Sequence, residues 1–429
     1  MFSLLRLGSL DCKIHMFERT PYPNDIAMIL AYHMFPPDIR VEKEAQALSQ
    51  EGYKILIFAE SGVKDPPVSV LHSNATVCRF PQRFQTSDQY IAHRLSRIAG
   101  LDVRRYLYIR RVLAKQEIKA IHVHDLPFAL TGLFVAREFS VPLIFDMHED
   151  YPAMIHTSLN PDQEGWFSPL MQSFQFWRWR LIERFVCRAA DRIVVVVEES
   201  KQRLLREGIP ESKIVVVSNT EDPQNLAQIP TNGAVLDEYV GRPIMLYVGG
   251  FEYNRGLNIL IEALPMILRE EQSALLLLVG AGRAEATLRK LVKMLGVCDH
   301  VVFTGRVPFT DVVSYIRGST VCFVPHKICD HTNTTIPHKL FQYMSFGKPV
   351  VVTPVVPLKR IVESVGCGWV TCDETPQALA KAALRLLQNP DLGRKMGLQG
   401  QDAAESIYHW QHDKDRLLWM YSKLISKHK

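Results

Sequence analysis

The stretch Thr332–Val352, TNTTIPHKLFQYMSFGKPVVV, brings hydroxyl, basic and amide side chains together where a helical pattern opens. Thr334 or Thr335 has the side chain of an N-cap, and Pro337 suits a first helical turn, where its missing N–H is not needed. Lys339 then falls within that turn. Free backbone N–H groups, the positive end of the helix dipole and an ammonium would converge on one spot. That is chemistry for an anion, most naturally a phosphate. Gln342 follows three residues after Lys339 on the same helix face, where it could hold a hydroxyl-rich group. Taken alone, the segment is explained equally well by a helix start that only packs, with Lys339 in water.

A second turn of this type lies in MLYVGGFEYNRGLNILIEAL. A strand pattern ends at Gly249 and Gly250, and Arg255 followed by Gly256 opens an amphipathic helix. Glycine lets a ligand approach the backbone, and the guanidinium fork matches phosphate. One glycine-rich turn specifies little. Two in one domain suggest a diphosphate held from two sides. In LLLLVGAGRAEATL, Gly280 and Gly282 close another strand. The pattern is not G-x-G-x-x-G and no acid stands at the ribose-binding spacing, so NAD is disfavoured. FTGRVP, with Arg306 and Val307, ends the following strand and offers backbone groups to a planar base.

The first half carries acid–histidine sets. IHVHDLP puts His122 and His124 on one strand face, with Asp125 at the strand's carboxyl end. FDMHED ends the next strand with Asp146, His148 and Glu149. His124, Asp125, His148 and Glu149 are therefore candidate catalytic residues, against the alternative of core histidines bonded to backbone. Arg40, just after the Pro36-Pro37 turn, would meet a charged ligand from the first-half side, or else form a weak surface pair with Asp38. His326, Cys329, His331 and His338 crowd one loop. Their spacing matches no common zinc pattern, so no metal site is expected. FQFWRWRLIERFVCR (174–188) alternates aromatics and arginines on a helix. It could lie on an anionic membrane surface. Aromatics turned into the core is the favoured reading, since a core-facing stripe looks much the same.

These segments need a scaffold that sets them at strand ends. The chain has 429 residues, too many for one ordinary core. Hydrophobic residues make up 47% and charged ones 22%, a soluble globular balance. A net charge of +5 does not point to a nucleic-acid partner, but permits an anionic substrate or membrane surface. The eight cysteines show no CxxC pairing, which fits reduced thiols in a cytoplasmic protein. No apolar run reaches the roughly 20 residues of a membrane span.

Strand patterns are expected at Ile26–Tyr32, Lys54–Ala59, Ala120–His124, Pro142–Asp146, Arg192–Val197 and Ile214–Val217. In the second half they fall at Ile244–Val248, Ala274–Gly280, Val301–Thr304, Val321–Pro325, Pro349–Thr353 and Gly368–Thr371. Near-continuous apolar runs such as RIVVVV are the mark of parallel strands covered on both faces. Their alternation with helices gives an α/β chain of two doubly wound domains, whose ligands would bind outside the strands' carboxyl ends. The expected divisions are an N-terminal extension 1–24, a first domain 25–225, a linker 226–243, a second domain 244–400, and a C-terminal helix 401–429 packing back on the first domain.

YVGGFEYNRGLNILIEAL, the LVGAGR turn, VVFTGRVP and TTIPHKLFQYMSFGKPVVVT together resemble the family 4 retaining glycosyltransferases (glycosyl transferases group 1), in order and spacing. The P-x-D-x-R-V-x-x-E-A-x-x-L opening, IHVHD, FDMHE and SNTED resemble that family's first half, so the likeness covers about residues 25–425. It implies the GT-B fold, two Rossmann-like domains facing across a cleft. It implies that Arg255 binds the donor diphosphate. Gly250 stands where many members have a second phosphate-binding arginine, and Lys339 would substitute. Gln342 stands at the second acid of the family's E-x7-E pattern, which holds the ribose, and Thr334 at the first, which contacts the donor sugar. His124 matches a histidine near the transferred sugar. The implied activity is retaining, metal-independent transfer from a nucleotide-diphosphate sugar to a saccharide or glycolipid acceptor. Polysaccharide biosynthesis of the cell envelope is the implied setting, with no cofactor, in the cytoplasm or peripherally at the cytoplasmic membrane face. A GT-B sugar-nucleotide epimerase and a catalytically weak sugar-nucleotide-binding relative are the alternatives.

Overall fold

The structure is a computed structural model that describes residues 25–62, 65–80, 100–157 and 168–426, with the side chains of 31–34 and 168–170 also outside the description. The expected extension 1–24 lies outside it.

Two sheets carry the chain. The first contains β1 (Ile26–Met34), β2 (Ile55–Glu60), β3 (Val68–His72), β4 (Ala75–Arg79), β5 (Ala120–His124), β6 (Leu143–Met147), β7 (Arg192–Val195) and β8 (Ile214–Val216), in the order β3-β4-β2-β1-β5-β6-β7-β8. The second contains β9 (Ile244–Val248), β10 (Leu275–Val279), β11 (Val301–Gly305), β12 (Val321–Val324), β13 (Val350–Val352) and β14 (Gly368–Val370), in the order β11-β10-β9-β12-β13-β14. Every pairing is parallel except β3 with β4. Parallel strands need crossover helices on both faces, which explains their continuous apolar runs.

The twelve expected strands all form, within a few residues at their ends. The β3–β4 hairpin was not expected. Its outer strand is half-buried with Val70 exposed at its centre, so it lacks the continuous apolar run of a covered strand. It caps one edge of the first sheet.

Each sheet brings its strand ends to the same side. In the first, His124 pairs with Asp146 between β5 and β6, so the two acid–histidine sets are neighbours by register. In the second, the turns after β9 and β10 meet in space. A Cβ on Gly280 would lie 2.0 Å from Gly249 O, and one on Gly282 would lie 2.5 Å from Phe251 N. The close approach that demands glycine at 280 and 282 is therefore chain against chain.

Residues of the expected linker form a 3-10 stretch, Gly233–Tyr239, that packs through Val235, Leu236 and Tyr239 on the second-domain core. The helix Pro390–Ser406 covers the second sheet. A separate helix, Trp410–Ser426, returns to the first, where Leu417, Met420, Tyr421 and Leu424 share a core with Ile26, Met28 and Val41. Beyond these, Val196 and Val197 after β7 join the second domain's core beside Ile336 and Leu340.

Candidate active site

The helix of the opening segment spans His338–Ser345. Its N-cap is Pro337, with no side chain bonded to the first turn. This corrects both expectations for the start of the helix. Thr334 ends a short 3-10 turn and donates to Asp330 O and His331 O at 2.7 and 3.2 Å. Thr335 donates instead to His148 O, 3.1 Å away in the other domain. The hydroxyls are consumed by the turn and by the domain contact, so the helix start keeps donors for another acceptor.

Lys339 lies in that first turn and is buried. Its Nζ sits 3.6 Å above the Tyr247 ring, and a Cβ on Gly249 would come within 2.6 Å of it. The ammonium thus fills the space beside the Gly249-Gly250 turn. Arg255 approaches from the turn Tyr253–Arg255, followed by Gly256 at φ 67°. A Cβ at Gly256 would fall 1.8 Å from Pro325 O, so only glycine permits this turn. Among the described residues, the side-chain hydrogen-bond partner of the Arg255 guanidinium is neutral, His326 Nδ1 at 3.4 Å. Among the described residues, neither Arg255 nor Lys339 has an ion-pair partner. Burial holds the Lys339 pKa well below that of a free lysine, and Arg255 lowers it further. Two adjacent cations with no anion between them form a site whose missing component is negative charge.

Gln342 is turned away from this pair. Its Nε2 donates to Glu221 Oε1 at 3.0 Å. His338 Nδ1 meets the same oxygen at 3.1 Å, and Lys43 pairs with Oε2 at 3.0 Å. His338 and Gln342 are four apart and follow one stripe, which is occupied by a first-domain carboxylate. The expected sharing of a ligand with Lys339 is therefore replaced by a domain junction. Arg306 is exposed and Val307 half-buried at the end of β11.

Across the cleft, Arg40 is buried, which corrects both readings of it. Its guanidinium binds Asp146 at 3.0–3.3 Å, Glu44 at 3.1 Å, Val217 O at 2.9 Å and Asn219 Oδ1 at 3.2 Å. It has no donor to offer a ligand. Around Asp146 stand His122, His124 and His148, at 3.5, 3.6 and 3.7 Å. His122 and His124 stack at 4.2 Å between ring centres and are fully buried. His124 is thus one layer behind His148, whose Nε2 it contacts at 3.1 Å. Burial alone would raise the Asp146 pKa. Arg40 and His148 outweigh this and hold it well below the usual carboxylate range. Burial likewise opposes the charged form of His148, but Asp125 and Asp146 raise its pKa to about 10. Glu44, desolvated beside Asp146, is pushed up to about 8. His148, Asp125 and Glu149 are the partly exposed members of the set.

Glu44, His122, His124 and Asp146 lie close enough to hold a metal ion. Arg40 already supplies a cation to both carboxylates. The four loop residues weighed for zinc separate into different contacts: His326 by Arg255, His331 on Glu149 and Asn254, His338 on Glu221, Cys329 by Thr332.

Several cross-domain contacts escaped the sequence reading. Glu149 Oε2 lies 2.9 Å from His331 Nε2, Asn219 Nδ2 donates to Ile336 O at 2.7 Å, and Ser200 donates to Thr334 O. Glu44 had a faint signal, its i+4 spacing from Arg40. Glu221 and Lys43 had none, because their partners are distant in sequence.

The profile of the family Glycosyl transferases group 1 matches residues 242–389, and that of the Glycosyl transferase 4-like domain matches residues 37–220. The chain belongs to this glycosyltransferase family. A phosphatidyl-myo-inositol mannosyltransferase of Mycobacterium leprae is 22% identical over 74% of this chain and 77% of its own length. Among solved structures, sucrose-phosphate synthase of Thermosynechococcus elongatus matches with a TM-score of 0.75 and 19% identity, covering 94% of this glycosyltransferase and 100% of that chain. An Anabaena protein solved with UDP-glucose matches with a TM-score of 0.68 and 15% identity, covering 93% and 100%. The two sheets are those of the GT-B fold, and the protein is a transferase enzyme.

Among the described residues, no helix is long and apolar enough to cross a membrane. The helix Ser168–Ala189 departs from the favoured reading of its aromatics. Trp179, Val186 and Cys187 are buried, but Met171, Phe174, Trp177, Leu181 and Phe185 form a second stripe, 56–64% exposed. Its sole acid, Glu183, points inward to Arg180 and Arg203.

Proposed function

We infer that this glycosyltransferase takes a nucleotide-diphosphate sugar in the second domain and transfers its sugar to a saccharide or lipid-linked acceptor bound by the first. The observation that carries this reading is the pairing of Arg255 and Lys339 beside an uncapped helix start, with no carboxylate among the described residues in ion-pair contact with either. A diphosphate supplies the missing charge. As the sugar leaves, negative charge grows on that diphosphate, and cations fixed in place stabilise it without reorganising. Those two cations do the work that a divalent metal does elsewhere, so the reaction is metal-independent on this reading. Retention at the anomeric carbon belongs to the same proposal: the first-domain strand ends present His148, Asp125 and Glu149 rather than a desolvated nucleophile, consistent with front-face departure and attack. His124, being behind His148, acts by orienting it.

The relative named as a phosphatidyl-myo-inositol mannosyltransferase and the UDP-glucose complex of the Anabaena protein support a lipid-linked acceptor and a nucleotide-sugar donor. The exposed stripe on Ser168–Ala189 supports a peripheral contact with an anionic membrane face. Its outward surface is apolar and basic, with Arg188 exposed and no acid. Binding and turnover of the purified protein with UDP-glucose, GDP-mannose and ADP-glucose test the reading. Saturable binding of at least one donor, with sugar release or transfer, is expected. Neither binding nor turnover across the panel refutes it.

A further inference from the structure

The two domains share one hydrogen-bonded chain at the cleft, and it ends on a carboxylate with an open oxygen. Asn254 Nδ2 lies 2.9 Å from His331 Nδ1, and His331 Nε2 lies 2.9 Å from Glu149 Oε2. Asn254 donates to Nδ1, which leaves the imidazole proton on Nε2, aimed at Glu149. His331 and Asn254 are buried, while the Glu149 side chain is 27% exposed. Among the described residues, Glu149 Oε1 has no hydrogen-bond partner. Asn254 immediately precedes Arg255 in the same turn, so this chain is built onto one side of the cation pair. Glu149 follows His148 at the end of β6, so it also faces the first-domain set.

We propose that Glu149, held in place by His331, binds hydroxyl groups of the donor's sugar. This rests on the donor-binding reading above. A sugar attached to a phosphate between Arg255 and Lys339 extends away from the cations toward the opposing domain, where this carboxylate lies. An ionised carboxylate beside His331, Arg255 and His148 is a strong acceptor for hydroxyl groups. Glu149 is kept in that form: burial raises its pKa, but the His331 hydrogen bond, Arg255 and His148 together lower it. Thr334 is a weaker acceptor than a carboxylate: its hydroxyl proton is given to Asp330 O and His331 O, and its neutral oxygen offers only uncharged lone pairs. The carboxylate therefore comes from the first domain, and the histidine that fixes it comes from the second. A site shared in this way is complete only when the domains are together, so the sugar itself favours closure.

The test is calorimetric titration of the full chain with UDP, UDP-glucose, GDP and GDP-mannose. For the pair that the wild type binds, Glu149→Gln should keep the nucleoside diphosphate Kd within about twofold. It should weaken the sugar nucleotide roughly tenfold or more, as expected for a lost charge-assisted contact. His331→Phe should do the same, and His331→Gln, which retains a donor toward Glu149, should recover part of the loss. Thermal melting of each variant serves as the folding control. Equal weakening of both ligands, or weakening of neither, overturns the proposal. So does a Glu149→Gln protein that binds the sugar nucleotide normally but no longer transfers, which would put Glu149 on the acceptor side. If the wild type binds no nucleotide, the donor-binding reading fails and takes this one with it. If Arg255→Ala weakens both ligands while Glu149→Gln weakens neither, only this proposal falls.

Discussion

Tyr421, in the last helix of the chain, places its hydroxyl 2.7 Å from Nδ1 of His122, in the middle of the first sheet. The contact joins residues 299 positions apart and ties the last helix to the layer beneath the candidate site. Both residues are fully buried. Tyr421→Phe removes one partner and strands a buried ring nitrogen, at a cost of about 1–3 kcal/mol. Calorimetric melting should show a fall of several degrees. An unchanged melting temperature would mean that the hydroxyl contributes nothing to the fold.

Among the described residues Arg255 makes no ion pair, so its loss should cost binding rather than stability. Arg255→Ala is expected to weaken sugar-nucleotide binding by about 1.5–3 kcal/mol, the range for hydrogen bonds to charged groups. Its melting temperature should match the wild type's, or rise slightly as the repulsion with Lys339 is relieved. A variant that binds donor normally would remove Arg255 from the site.

Lys339 should respond to pH. Burial and Arg255 hold its pKa well below a free lysine's, and a bound diphosphate would raise it again. Donor binding is then accompanied by proton uptake at pH values above the lowered pKa, and affinity falls as pH rises. Titration in buffers of different ionisation enthalpy measures the proton directly. Lys339→Met should abolish the uptake, and a wild type that takes up no proton at any pH would contradict the site.

His148 gives a stability dependence of defined sign. Its folded pKa is raised from 6.5 to about 10, with Asp125 and Asp146 outweighing burial. The stabilisation is fully present below pH 6.5 and is lost as pH climbs through about 10. Wild type should therefore melt above His148→Gln at pH 6, with the gap closing toward pH 10. A gap that stays constant over that range would show that the imidazolium is not what the carboxylates stabilise.

The outer stripe of Ser168–Ala189 should bind lipid. Sedimentation with vesicles containing anionic lipid is expected to carry the wild type down, and zwitterionic vesicles much less. Trp177→Ser with Leu181→Ser should release it while melting normally, since both side chains are mostly in water. No pelleting with either vesicle would rule out the contact.

Much of the scaffold was legible because parallel strands announce themselves. RIVVVV and LLLLVG are apolar on both faces, and each sits where the structure has a strand. The cation pair was legible for a local reason: Gly249, Gly256 and Arg255 occupy one short turn, and Lys339 is fixed by the helix that starts after Pro337. The roles of Gln342 and Arg40 were not legible. Each is a polar residue in a plausible ligand position, and each is claimed by an acid more than a hundred residues away, Glu221 and Asp146 respectively. The β3–β4 hairpin was missed because a half-buried edge carries little apolar pattern.

The sequence by itself determined the two doubly wound domains, the turns at their strand ends and the residue types gathered there, because periodicity and glycine placement are local properties. Only the tertiary structure decided which charged groups are free. Arg40, like the neutral amide Gln342, is spent on carboxylates brought in from other elements, while among the described residues Arg255 and Lys339 are left without an ion pair. The availability of a charge depends on every group packed around it, and that is settled when distant segments meet.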